Sequence, residues 1–265
     1  MNRHLLLILL LLPVFVVAQK VETVSERFHY IYLKPETKIE QLQKDNEERQ
    51  RNWQEEFEAM KAGLAESDRV SDNIKVEVQT DVQQNGDETN LIVAVSYETI
   101  RLTEDADDYA LGKYAIQNSN ACSFMCSFLK GKLENDLAVY LKEGVKVDLK
   151  ITGATDGTPI KSKIAYKGEY GDFTDKEIHL NGEPYAMTVT RKTGITTNGQ
   201  LAFLRTQGVE HFLENEVTTL QHTQNQYQCH AVENVEKGGG YRRVSVEITI
   251  HGAFDDVEPS NTTKP

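Results

Sequence analysis

The chain has 265 residues, 39% of them hydrophobic, and carries a formal charge of −12 at neutral pH. That length suits one full domain with a smaller element, and the apolar content is enough for a core. The acidic balance argues against non-specific attachment to nucleic acid or an anionic membrane, because both present phosphates that an acidic surface repels.

The N-terminus reads "MNRHLLLILLLLPVFVVAQK". A basic start at Arg3 precedes an apolar run from Leu5 to Val17 and the small Ala18, the pattern of a secretory signal over residues 1–18, cleaved before Gln19. The rival reading is an N-terminal anchor, but the run is shorter than the roughly 20 apolar residues a spanning helix needs. Export would carry the three cysteines into an oxidising compartment. Two readings of them stand: a disulfide joining Cys126, or its neighbour Cys122, to Cys229, or three small core residues.

Residues 19–72 read as a separate N-terminal segment. A short strand is expected over Phe28 to Leu33, and Pro35 followed by Glu36 and Thr37 opens a helix. In "ETKIEQLQKDNEERQRNWQEEFEAMKAGLAE" the apolar Ile39, Leu42, Trp53, Phe57, Met60 and Leu64 fit one helical face at each end, with Asn46 and Arg49 on it in the middle. This is a long solvated spacer helix, or a weak coiled coil able to form a homodimer seam. From Asn73 the period shortens. "NIKVEVQTDV" and "NLIVAVSY" are strands around a turn at Asn85-Gly86. The polar connection after them holds "EDADD", a calcium candidate lacking the full loop spacing, or a solvated acidic loop. "ACSFMCSFLKGKLENDLAVYLKEG" follows with Cys122, Met125, Cys126, Leu129, Leu133, Leu137 and Leu141 at helical steps, stopping at Gly144.

"VKVDLKITG" alternates as a strand. Short strands are expected in "KIAYKGEYGDF" and in "EIHLNGEPYAMTV", the latter turning at Asn181-Gly182. "TNGQLAFLRTQGVEHFLENEV" is a helix with Asn198 as its N-cap. "NQYQCHAVENV" and "YRRVSVEITI" are strands, "EKGGG" is a loop, and residues 253–265 form a polar, disordered tail with an "NTT" glycosylation pattern. The order from Asn73 favours an α+β domain over residues 73–252 whose two helices pack on one face of a sheet.

Three separated pieces carry the chemistry: "ITGATDG", "NGQLAFLRT" and "YRRVSVEITI". In that order they resemble the C-terminal cell-wall-binding domain of the OmpA family, also found in MotB-like and Pal-like proteins. The family pattern is roughly G-x-T-D closing a strand, N-x-x-L-S-x-x-R-A opening a helix, and N-R-R-V opening the last strand. Gly153, Thr155 and Asp156 match the first piece. Asn198, Leu201 and Arg205 match the second, with Ala202 and Thr206 departing from it. Arg242, Arg243 and Val244 match the third, with Tyr241 in place of Asn. The resemblance implies a β-α-β-α-β sheet with both helices on one face. It also implies a periplasmic, outer-membrane-associated envelope protein that holds a diaminopimelate-type stem peptide of peptidoglycan through Thr155, Asp156, Asn198, Leu201, Arg205 and Arg242. Asp156 would take the ammonium or backbone groups and Arg205 the carboxylate, since a zwitterion needs both signs close together and a guanidinium meets a carboxylate with two bonds. Where the family turns quickly from Asp to its helix, this chain inserts residues at about 158–197.

No G-x-S-x-G, H-E-x-x-H or phosphate-binding loop occurs, and no local Ser/His/Asp arrangement nominates a nucleophile, so neither an enzyme nor a cofactor or metal site is expected. The alternative to wall binding is a divergent domain that serves an envelope assembly as a protein-interaction module, through the insertion or the N-terminal helix.

Overall fold

The computed structural model describes residues 34–65, 74–99 and 109–255. The expected signal at 1–18, the strand at 28–33, the acidic "EDADD" and the "NTT" pattern lie outside them. Among the described residues are three α-helices and seven strands: α1 (Lys34–Ala65), β1 (Ile74–Asn85), β2 (Glu88–Thr99), α2 (Asn120–Gly131), β3 (Lys146–Thr155), β4 (Phe173–Leu180), β5 (Glu183–Val189), α3 (Asn198–Glu216), β6 (Gln224–Glu233) and β7 (Val244–Ile250). They form an α+β structure on a mixed sheet of order β1-β2-β7-β3-β6-β4-β5. Among the described residues no helix is long and apolar enough to cross a membrane.

The centre of the sheet follows from alternation. Val93, Ile248 and Leu149 stand in register across β2, β7 and β3, and each is fully buried. Residues between them, such as Lys150 and Glu247, face the other side and pair there at 3.5 Å. Side chains two apart share a face, so one register fixes which side receives the helices. Gly153 lets α3 come close: a Cβ there would run into the Ala202 carbonyl oxygen.

The N-terminal helix divides. Of its described residues, Lys34–Asp45 belong to one compact unit and the rest to the unit that holds the sheet. From Asn46 onward α1 is part of the sheet's own unit, which a solvated spacer would not be. Phe57 is fully buried edge-on to Phe124 and Phe128 of α2, with ring centroids 4.5 and 4.8 Å away. The polar side of the helix also works. The amides of Val78 and Thr80 on β1 each donate to a glutamine of α1, Gln54 and Gln50, at 3.3 Å. The Thr80 hydroxyl donates to the Asn46 carbonyl at 3.2 Å. An open strand edge is a template for unwanted pairing, and here a helix covers it with side-chain amides.

Two expectations need correction, and one of the two readings of the cysteines stands. The helix expected to run to Gly144 ends at Gly131, where a π-helical turn, Lys132–Asp136, takes over. Leu133, Leu137 and Leu141 are still buried, so the apolar period reported burial and not helix. The Asn135 side-chain amide donates to the Gly131 carbonyl at 2.7 Å, taking an acceptor a continuing helix would use. "KIAYKGEYGDF" is no strand before Phe173; its one bridge, Ile164↔Ile195, ties it to the chain between β5 and α3 and lies outside the sheet's strands. Its order comes from a side chain: the Tyr166 hydroxyl donates to the Gly171 carbonyl at 2.7 Å and accepts the Tyr170 amide at 3.2 Å. Finally, all three cysteines are buried free thiols. Cys229 lies 3.1 Å from both the Gln207 amide nitrogen and the Glu210 carboxylate, and burial pushes its thiol up to about 12. Cys126 is engaged with Cys122 one turn away, and no disulfide joins it to Cys229.

The insertion is a β-hairpin. Asn181 and Gly182 have φ of 52° and 89°, the double left-handed turn that Asn-Gly provides. It extends the sheet beyond β6, but β4 pairs with β6 at only two positions, His179↔His230 and Leu180↔Ala231. At that junction the two imidazoles stack at 4.5 Å, inclined by 8°. Burial, then His179, then Lys150 hold the His230 imidazole below its ordinary value, with Glu247 opposing. A His depressed in the folded state takes up protons more readily when unfolded, so its contribution to stability is present above the ordinary His range and lost as pH falls through it. The urea midpoint is expected to drop between pH 7.5 and pH 5 by more in the wild type than in His230→Gln. Parallel curves for the two proteins would remove His230 from the pH dependence.

The last described residues, His251–Asp255, are packed. Phe254 is buried against Tyr140, with centroids 5.2 Å apart, and the Asp255 carboxylate accepts the Thr89 amide at 2.8 Å.

Candidate functional site

The three sequence pieces converge. β3 delivers Asp156 just past its end, the first turn of α3 lies beside it, and the chain before β7 delivers Arg242. Asn198 does the joining. Its amide nitrogen donates to the Asp156 carbonyl at 3.0 Å and the Thr158 carbonyl at 3.1 Å. It is free to do so because it is not the N-cap: Thr197 caps α3, accepting the Gln200 amide while the Gln200 side chain reaches back in a capping box.

Asp156 is 5% exposed. One carboxylate oxygen accepts the Thr158 hydroxyl at 2.7 Å and the Gly238 amide at 3.2 Å. Thr155 is buried, its hydroxyl 3.4 Å from the Val232 carbonyl, and its own carbonyl accepts the Asn234 amide at 3.0 Å. Leu201 belongs to the apolar cluster under β4 and β5. It supports the site from below and offers no polar contact.

Arg205 has no exposed surface. Its guanidinium donates to the Ala154 carbonyl and twice to the Lys113 carbonyl, at 3.0 and 3.2 Å. The Tyr109 ring lies 4.4 Å beneath it, a cation–π contact. Burial holds its pKa down to about 10, with Tyr109 and Tyr97 raising it, Arg242 lowering it and Asp156 raising it. It therefore remains a cation at neutral pH. Arg242 is 4% exposed and donates to the Tyr109 carbonyl at 3.0 Å, while its Nε has no hydrogen-bond partner among the described residues.

The cluster thus gathers two buried guanidiniums under the segment Tyr109–Lys113, with the Asp156 carboxylate near enough to favour the charge of Arg205. Sequence reasoning missed that cover. Its signal was "YALGKY", where Gly112 turns the chain at φ 71° and carbonyls of Tyr109 and Lys113 point at the arginines. As it stands the arrangement favours an anionic group near the unfilled Arg242 Nε, with Asp156 supplying the opposite charge. Among the described residues no group of three or more His, Cys, Asp or Glu side chains is placed to hold a metal.

No protein-family model matches the chain. No curated protein matches it either. Among solved structures it is similar to the OmpA-like domain of FopA1 from Francisella tularensis subsp. tularensis SCHU S4. The two are 10% identical, the match covers 69% of this chain and 84% of that one, and the TM-score is 0.23, too slight a likeness to argue from.

Proposed function

We propose that this is an exported bacterial envelope protein whose OmpA-like domain binds the stem peptide of peptidoglycan non-covalently at Asp156, Arg205 and Arg242, in the periplasm. The observation that carries the reading is the charge of the cluster: it holds two enclosed arginines and one buried carboxylate, Asp156, and Arg242 keeps an unused N–H. A ligand carboxylate would balance that excess, and its ammonium would find Asp156. Entry requires Tyr109–Lys113 to lift, releasing Arg205 from the Lys113 carbonyl. Asp156→Asn keeps size and hydrogen bonding but removes the charge. It is expected to weaken retention on purified sacculi by about tenfold or more, since a charge-assisted bond contributes about 1.5–3 kcal/mol. Equal retention of the two proteins, or retention of neither, would sink the assignment.

A second reading has its own observation: Arg205 is fully enclosed and already serves two carbonyls. On it the cluster is a structural lock and the domain is a protein-interaction module in an envelope assembly. It expects no sacculus binding and a crosslinked envelope partner that is lost when about residues 160–195 are deleted.

A further inference from the structure

The hairpin meets the sheet at one end only. β6 pairs with β3 along ten positions, from Lys146↔Gln224 to Thr155↔Glu233, but with β4 at two. A register shift between Phe173 and Lys176, with Asp175 at φ 52°, bends β4 at its start. The strands part there and leave a cleft of about 810 Å³ between them.

The lining identifies what the cleft is. It includes Lys176–His179 on β4 and Gln226–Cys229 on β6 as consecutive residues, with Glu210 from α3. Consecutive strand residues point to opposite faces, so a wall made of them is the rim of a strand and not a face. Both rims carry backbone N–H and C=O groups outside the β4–β6 ladder, and such groups seek partners. The Tyr227 hydroxyl, on the same wall, is buried with no hydrogen-bond partner among the described residues. The contrast with the other side of the sheet is informative, because the β1 edge is covered by glutamines of α1. The charge is one-sided as well. Glu177 and Glu210 line the cleft against Lys176, and Glu214 adds its field at Tyr227.

We propose that the β4–β6 cleft is a docking slot for an extended, cationic polypeptide segment, which adds as a strand between Lys176–Ile178 and Gln226–Gln228. Main-chain bonds to both rims would supply affinity and the glutamates would select basic side chains, as in recognition by strand addition. At about 3.3 Å per residue the paired stretch of roughly three residues would span about 10 Å. The proposal is independent of wall binding, which involves other residues.

The test uses the protein from Gln19 onward at physiological salt, with three labelled hexapeptides: KVKVKV, its acidic counterpart EVEVEV, and KPKPKP. The last keeps the charge but lacks the N–H of every second residue, so it cannot pair with both rims. Saturable binding of KVKVKV is expected, at least tenfold tighter than either control, with amide exchange slowed at Lys176–Ile178 and Gln226–Gln228. Glu177→Lys, an exposed substitution, and Glu177→Lys with Glu210→Gln are each expected to weaken it progressively. Glu247→Lys, on the central strand β7, should leave it unchanged. Equal binding of KPKPKP, or protection elsewhere than the cleft, would overturn the proposal. So would concentration-dependent self-association that excludes the peptide, which would make a second copy's β5 edge the occupant.

Discussion

Replacing Arg205 with Ala is expected to destabilise the domain by about 3–5 kcal/mol, read as a lowered urea midpoint with unchanged slope. The reason lies in what the guanidinium leaves behind. The Ala154 and Lys113 carbonyls would lose a fully buried donor, and Tyr109 would face a void. Arg205→Lys should recover only part of the loss, because one ammonium cannot reproduce the planar fork that reaches both carbonyls. A loss below about 1 kcal/mol for Arg205→Ala would mean that the Tyr109–Lys113 cover holds without this anchor. Comparison with Asp156→Asn then separates roles: an arginine substitution that costs stability and an aspartate substitution that costs only wall retention would assign structure to one and recognition to the other.

The second large effect is expected far from the site. Phe57→Ala should cost about 3–5 kcal/mol, the range for removing a buried aromatic ring. Phe57 fills the space between α1 and α2, edge-on to two phenylalanines. If residues 46–65 were an appended spacer, the substitution would shift the unfolding of the sheet by a few tenths of a kcal/mol at most. Circular dichroism in urea, followed on the wild type and Phe57→Ala, distinguishes the two outcomes.

Much of the sheet was legible because its signals are local. Asn181-Gly182 named one hairpin turn and Asn85-Gly86 the other to within a residue, its loop being Gly86 and Asp87, and the alternation of β3 and β7 named their buried faces. The long helix was legible as a helix, but its partner was not. Trp53 and Phe57 show an apolar stripe whether the stripe faces a second chain or a sheet of the same chain. The end of α2 was misread for a related reason: leucines at helical steps can be buried by a π-helical turn and a loop as well as by a helix. Of the candidate site, the sequence told which residues meet but not how they are enclosed. Asp156, Asn198, Arg205 and Arg242 do gather. What covers the two arginines is main-chain carbonyl, and a carbonyl has no identity in a sequence. The capping role of Thr197 was equally hard to choose from sequence, since Thr and Asn are both good caps and stand side by side.

Asn198 holds the chain at Asp156 and at Thr158 with one side chain, although Thr158 lies 40 positions earlier. The polypeptide therefore leaves for the hairpin and comes back through the same small gate. Closing such an excursion costs only about 0.6 kcal/mol for each doubling of its length. The gate thus makes the hairpin a place where the protein can grow or shrink over evolutionary time. Lengthening, trimming or exchanging it would leave the ends of β3 and α3 where Asn198 fixes them, so a new surface could be tried without rebuilding the old domain.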